Sequence, residues 1–93
     1  MTQTPQGKSF EDLYVELSAK IAAGDTASGS VRLVQAGSHE IGKKIVEEAA
    51  EVWMAAEYEG KEALALEISQ LLYHIQLLML ANSVSMADVY KNL

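Results

Sequence analysis

Apolar residues recur along this chain at spacings of three and four almost from end to end, the period of helices with one face turned inward. Phe10, Leu13, Leu17 and Ile21 form the first such stripe; Ser9 with Asp12 three residues later reads as a capping box at its start, and Gly24 ends it. The stretch from Asp25 to Gly37 has no comparable period and reads as a long irregular loop, either flexible or closing over a ligand. A second helix is predicted from about Ser38 to Tyr58, stopped near Gly60, with Ile41, Ile45, Ala49, Val52 and Ala56 as its apolar stripe. A third runs from roughly Glu62 to Ala81, and Ser85, answered by Asp88, caps a short last helix that packs back through Val89 and Leu93. The expected fold is all-α: an antiparallel bundle of about four helices over residues 9–93, behind a polar N-terminal tail of residues 1–8.

The third helix is apolar on two sides. Leu64, Ile68, Leu71, Leu72, Ile75, Leu78 and Met79 make the main stripe, and Leu66, Tyr73, Leu77 and Leu80 make another. Both must be buried, and a single 93-residue domain has little with which to cover the second. A homo-oligomer is expected, most simply a dimer. Trp53 and the four Met residues are most economically core or subunit interface.

Seven Lys and Arg against thirteen Asp and Glu give a net charge of −6, which disfavours nucleic acid and anionic membrane surfaces as partners. A polyphosphate would need a metal to bridge it to such a chain. There is no Cys, hence no disulfide framework, thiol nucleophile or zinc-thiolate site. The polar start holds the only Pro and lacks the apolar segment of a secretory signal, and no eighteen consecutive residues are apolar. A soluble, cytoplasmic protein is expected, without a membrane partner.

Candidate chemistry lies at the edges of the apolar stripes. At 100° per residue Glu48 falls beside the stripe of the second helix, Glu51 a little further round and Glu47 further still. On the third helix Glu67, Gln70 and His74 form a polar seam between the two apolar sides. A short turn at Gly60 and Lys61 makes these helices antiparallel neighbours, so the two polar edges can face each other. A Glu-Glu-x-x-Glu run is by itself most often a solvated face, because glutamate is a good helix former. Placement at the core edge changes the balance: an unpaired carboxylate there is costly, so it is protonated, paired or bound to a metal. Carboxylates with an amide suit Mg²⁺, with Mn²⁺ as the alternative, and such cations suit phosphate substrates. His74 reads as a packed residue with one satisfied nitrogen. Spacing alone makes Lys43 a surface charge and sets Lys44 near the acidic edge. No Gly-rich phosphate loop, Ser-His-Asp arrangement or H-E-x-x-H pattern is present.

The run Gly42-Lys43-Lys44-Ile45-Val46-Glu47-Glu48-Ala49-Ala50-Glu51-Val52, then Glu67-x-x-Gln70-Leu71-Leu72-Tyr73-His74, then Ser85-x-x-Asp88-Val89-Tyr90, resembles phosphoribosyl-ATP pyrophosphohydrolase of histidine biosynthesis. That family belongs to the all-α, MazG-like nucleoside triphosphate pyrophosphatases. The resemblance covers Ser9 to Leu93 and implies hydrolysis of N1-(5-phosphoribosyl)-ATP to the AMP derivative and pyrophosphate. Carried over by motif, it implies Glu48, Glu51 and Glu67 as Mg²⁺ ligands with Gln70 at the fourth position, and Glu47 as the group that orients or deprotonates the attacking water. It also implies Lys43 and Lys44 as phosphate contacts, and Ser28, Ser30 and Arg32 as residues of a loop near the substrate. The superfamily has Asp where Gln70 stands, so this site has one negative charge fewer and is expected to hold its metal more weakly.

Two other functions are compatible with the same residues. A house-cleaning pyrophosphatase acting on non-standard nucleotides would share the fold and the acidic cluster, and a non-catalytic helical module could dock a basic partner on its acidic edge. The resemblance further suggests functional association with phosphoribosyl-AMP cyclohydrolase, which consumes the product in that family's pathway.

Overall fold

The glycine at position 37 divides the middle of the chain into two helices. In the computed structural model, which describes residues 7–93, Gly37 has φ 102°, a backbone conformation that disfavours any side chain, and it ends one helix while starting the next. The helices are α1 (Phe10–Ala23), α2 (Gly29–Ala36), α3 (Ser38–Tyr58), α4 (Lys61–Ala81) and α5 (Met86–Tyr90). The described residues are helical apart from turns and connections, as the periodicity predicts. Residues 1–6 of the expected polar tail lie outside the described residues.

One expectation is corrected in this part of the chain. The stretch read as a long loop contains α2, and the described residues form five helices, in keeping with the all-α bundle expected. At eight residues α2 is too short to show a period, but its ends are marked: the Ser28 side chain accepts from the Val31 N–H, and Gly37 terminates it. α1 starts as predicted, with the Ser9 hydroxyl accepting from the Asp12 N–H, and ends at left-handed Gly24 (φ 68°). At the other end of the chain Ser85 and Asp88 complete both halves of a capping box. α5 is held to α1 by the Tyr14 hydroxyl donating to the Val84 carbonyl (2.9 Å) and by the Tyr90 hydroxyl donating to Glu11.

α3 and α4 form a long antiparallel hairpin through Glu59 and Gly60, and this is the most extensive packing in the chain. α1 and α2 lie against it, and the core is the meeting of Leu17 from α1, Ile41 from α3 and Leu77 from α4. Leu13, Leu33, Val34, Ile45, Tyr73, Leu78 and Leu80 pack around these three. Gln76 is fully buried among them and donates through its amide to the Phe10 carbonyl (2.7 Å), tying α4 to the first turn of α1.

The buried face of α3 differs from the predicted one in a way that matters for function. Ala49 and Ala56 are exposed, and the inward row is Ile41, Ile45, Glu48, Val52 and Ala55. Alanine adds too little area to fix which of two adjacent rows is buried. The true row contains Glu48, which therefore lies within the packed face, one step further in than its edge.

The 21-residue helices of the hairpin are each about 31 Å long at 1.5 Å per residue, whereas α1 and α2 have 14 and 8 residues and cover only one end. The radius of gyration is 14.5 Å, larger than the roughly 12 Å of a compact domain of this length. The uncovered end exposes Trp53, Met54, Tyr58, Leu66, Ile68 and Leu72, so three residues expected on the apolar stripes of α4 face outward in the single chain. By length and mean hydropathy (1.4) α4 would qualify as a membrane-crossing helix, but it carries Glu67, Gln70, His74 and Gln76 and packs against three other helices.

Leu77 is fully buried at the three-helix junction, so Leu77→Ala should lower unfolding free energy by roughly 2–5 kcal/mol. Denaturant titration should show this as a lower midpoint with an unchanged slope.

Candidate functional site

Antiparallel pairing of α3 and α4 sets Glu48 and Glu51, one turn apart on α3, alongside Glu67 on α4. One carboxylate oxygen from each of the three lies within 4.8 Å of the others. Glu48 and Glu67 are half-buried and Glu51 is exposed, so the group opens to solvent on one side. No cation of the chain is paired with any of the three among the described residues, since Lys43 pairs with Glu40 (3.0 Å) and Lys44 with Glu47 (3.6 Å).

Glu48 carries the strain of this arrangement. Its Oε2 is buried without a hydrogen-bond partner, a costly state for an ionised oxygen. Its pKa is raised, first by burial, then by the neighbouring Glu51 carboxyl, with Glu67 adding a smaller push and His74 opposing them. A hard dication set among the three oxygens removes both causes at once: it supplies the missing partner and cancels the repulsion. The residues present therefore fit a divalent metal such as Mg²⁺, which takes carboxylate oxygens.

His74 is buried, and its Nδ1 lies 2.8 Å from the carbonyl of Gln70 on the preceding turn. A carbonyl only accepts, so this bond places the proton on Nδ1 and fixes the ring. The ring meets Tyr73 edge-on at 4.9 Å between centroids. This is the packed, half-satisfied histidine that the sequence suggests. Gln70 follows Glu67 by one turn on the same face, with an exposed side chain.

The remaining expected site residues are more dispersed. Glu47 is exposed and faces Lys44, and with Lys43 it lines a separate open cleft on the outer side of α3. Ser28 is occupied as the α2 cap, Ser30 is buried and hydrogen-bonded to the Tyr73 hydroxyl, and Arg32 donates to the carbonyls of Thr26 (2.7 Å) and Ala27 (3.0 Å). These three build the α1–α2 connection and anchor α2 to α4 beside His74. Sequence reasoning overlooked His39, which shares the cleft with Lys43 and Glu47. Its spacing of four and eight residues from those two was the available signal.

Residues 10–93 match the family model described as phosphoribosyl-ATP pyrophosphohydrolase. The chain is similar to the phosphoribosyl-ATP pyrophosphatase of Streptomyces coelicolor, 62% identical over 87 residues that span 92% of this chain and 97% of that protein. The corresponding protein of Streptomyces avermitilis is 61% identical over the same shares of the two chains. That of Salinibacter ruber is 56% identical over 92% of this chain and 99% of its own length. With the match running from the first turn of α1 to the last residue, this chain belongs to the phosphoribosyl-ATP pyrophosphohydrolase family.

Proposed function

We infer that this chain is a hydrolase that cleaves phosphoribosyl-ATP to phosphoribosyl-AMP and pyrophosphate in histidine biosynthesis, using Mg²⁺ held by Glu48, Glu51 and Glu67. The observation that carries the reading is that one carboxylate oxygen from each of the three lies within 4.8 Å of the others, while Glu48 has a buried oxygen without a partner. Family membership supplies the substrate.

The reaction is attack of water on the α- or β-phosphorus of the triphosphate, which breaks the anhydride bond between them and yields phosphoribosyl-AMP and pyrophosphate. When bound, Mg²⁺ neutralises triphosphate charge and lowers the pKa of a coordinated water. Glu48, Glu51 and Glu67 fix the position of that charge, and the opening on the Glu51 side admits the substrate. Gln70 completes the set through its amide oxygen or a water held by it. Glu47, one residue from Glu48 and on the outer side of the helix, orients the water and accepts its proton. Lys43 and Lys44 contact phosphate oxygens, exchanging their weak exposed ion pairs for stronger charge-assisted ones. Ser28, Ser30 and Arg32 shape the adjoining wall through the α1–α2 connection. Soluble nucleotide and free Mg²⁺ place this chemistry in the cytoplasm.

The active unit is a homodimer. Trp53 is 67% exposed and Tyr58 79%, and with Met54, Leu66 and Leu72 they form an apolar surface at the uncovered end of the hairpin. A patch of this kind on a small soluble domain marks an interaction surface, and a second copy offers a matching one.

Glu48→Gln and Glu51→Gln should each lower pyrophosphate release from phosphoribosyl-ATP by about 10²-fold or more while leaving the helical circular dichroism unchanged. Retention of normal turnover by either variant would refute the assignment. A panel of plain deoxynucleoside triphosphates should be hydrolysed far more slowly by the wild-type protein.

Without metal, burial and the neighbouring Glu51 carboxyl make the folded chain hold the Glu48 proton to higher pH than the unfolded chain does. Unfolding free energy therefore falls as pH rises through the raised Glu48 pKa. In EDTA the wild type should lose melting temperature as pH rises above the ordinary glutamate range through the raised Glu48 pKa, and Glu48→Gln should lose less. Millimolar Mg²⁺ should raise the wild-type melting temperature at neutral pH, by binding the folded state alone, and should not raise that of the variant.

Sedimentation equilibrium should give twice the 10.1 kDa chain mass, and Trp53→Glu should shift the distribution towards the single chain.

A further inference from the structure

The carboxylate cluster accounts for only part of the outer surface of α3. Towards the N-terminal end of this helix lies a cleft of about 630 Å³, lined by Ser38, His39, Gly42, Lys43, Val46 and Glu47. Its size is within the roughly 300–1,000 Å³ of small-molecule sites. Gly42 and Val46 give it an apolar floor, and the polar groups stand around it. His39, Lys43, Glu47 and Glu51 follow one another at intervals of four, a row that winds by about 40° per step from the cleft round α3 to the exposed Glu51 side of the carboxylate cluster. Lys43 is about 7–12 Å along the helix axis from Glu48 and Glu51 at 1.5 Å per residue.

Gly42 is the second observation. It sits inside a helix, where glycine lowers stability relative to alanine. No positive φ requires it, and a Cβ built at this position would meet no atom within 4 Å. Neither the backbone nor the packing of the chain accounts for the missing side chain. Its effect is to leave the helix backbone bare at the floor of the cleft, open to close approach by something outside the chain. The polar groups around it are available: the ring nitrogens of His39 have no partner among the described residues, and Lys43 is engaged only in an exposed pair with Glu40.

We propose that this cleft binds the N1-linked ribose 5-phosphate of the substrate, with the sugar over Gly42 and Val46 and the second phosphate accepting hydrogen bonds from His39 and Lys43. The proposal rests on the phosphoribosyl-ATP reading and says how that substrate is told from a plain triphosphate. Phosphoribosyl-ATP carries two anionic groups held apart by the purine, and the row from His39 to Glu51 offers a separate place to each. An imidazole N–H donates to phosphate in either protonation state, so His39 serves without a charge of its own.

The test is steady-state kinetics on the Mg²⁺-loaded enzyme, with phosphoribosyl-ATP as substrate and ATP as competitive inhibitor. ATP has the same triphosphate but no second phosphate. His39→Ala should raise KM for phosphoribosyl-ATP about tenfold, the loss of one hydrogen bond to a charged group, with no change in the Ki of ATP. His39→Gln, which keeps an N–H donor, should recover most of that loss. Gly42→Ala should raise the melting temperature and yet raise KM for phosphoribosyl-ATP, two effects of opposite sign that a merely structural glycine would not combine. An unchanged KM in both His39→Ala and Gly42→Ala overturns the proposal, as does an equal weakening of phosphoribosyl-ATP and ATP. A shift in dimer dissociation from Gly42→Ala with KM intact also overturns it, by assigning the cleft to a second copy. Each of these failures leaves pyrophosphate release from phosphoribosyl-ATP in place, whereas failure of the hydrolase reading removes that release altogether.

Discussion

Three carboxylates brought within 4.8 Å of one another repel, and the α3–α4 hairpin holds them there against that repulsion. What forces the approach is the inward row of α3: Ile41, Ile45, Val52 and Ala55 pack towards the body of the protein, and Glu48 occupies a position in the same row. Rotating α3 to release Glu48 would lift Ile41 and Ile45 out of the core. The cluster is thus clamped by hydrophobic burial, and its electrostatic cost is left for a bound cation to relieve. In the proposed reading, a negative cage already assembled in this way would take a divalent cation without further rearrangement.

The same hairpin explains why the fold looks unfinished as a single chain. Two helices of 21 residues outreach the α1 and α2 that cover them, and the exposed end presents Trp53, Met54, Tyr58 and the outer leucines of α4. The core proper is small, gathered around Leu17, Ile41 and Leu77, and polar ties reinforce it: Gln76 to Phe10, Tyr14 to Val84, Ser30 to Tyr73. In the proposed homodimer, a second copy would supply the missing cover.

Local stability is surrendered in two places along α3, one on its inward row and one on its outer side. Glu48 puts a charge where an apolar residue would pack, and Gly42 puts a flexible residue where alanine would favour the helix. Both lie on the stretch that faces the substrate in the hydrolase reading, one under the triphosphate and the other under the phosphoribosyl arm. Departures from what folding alone would select are expected to gather at functional positions, because there a residue is kept for what it binds.

Much of this was legible in the chain itself. The three-four spacing determines the all-helical class, Ser9, Gly24 and Ser85 mark helix ends through capping chemistry that is local, and the spacing of Glu48 and Glu51 puts both carboxylates near one edge of α3. These features depend on near neighbours, so the order of residues suffices to read them. α2 was hidden because eight residues carry too little period, and its existence rests on Val31, Leu33 and Val34 finding α3 and α4. The row on α3 was misassigned by one step because Ala49 and Ala55 are equally apolar. Only packing against α4 decided that Glu48 faces inward, that Glu67 stands opposite it, and that Trp53 and Leu66 are left outside. Those outcomes depend on contacts between residues distant in sequence, whose energies no single helix contains.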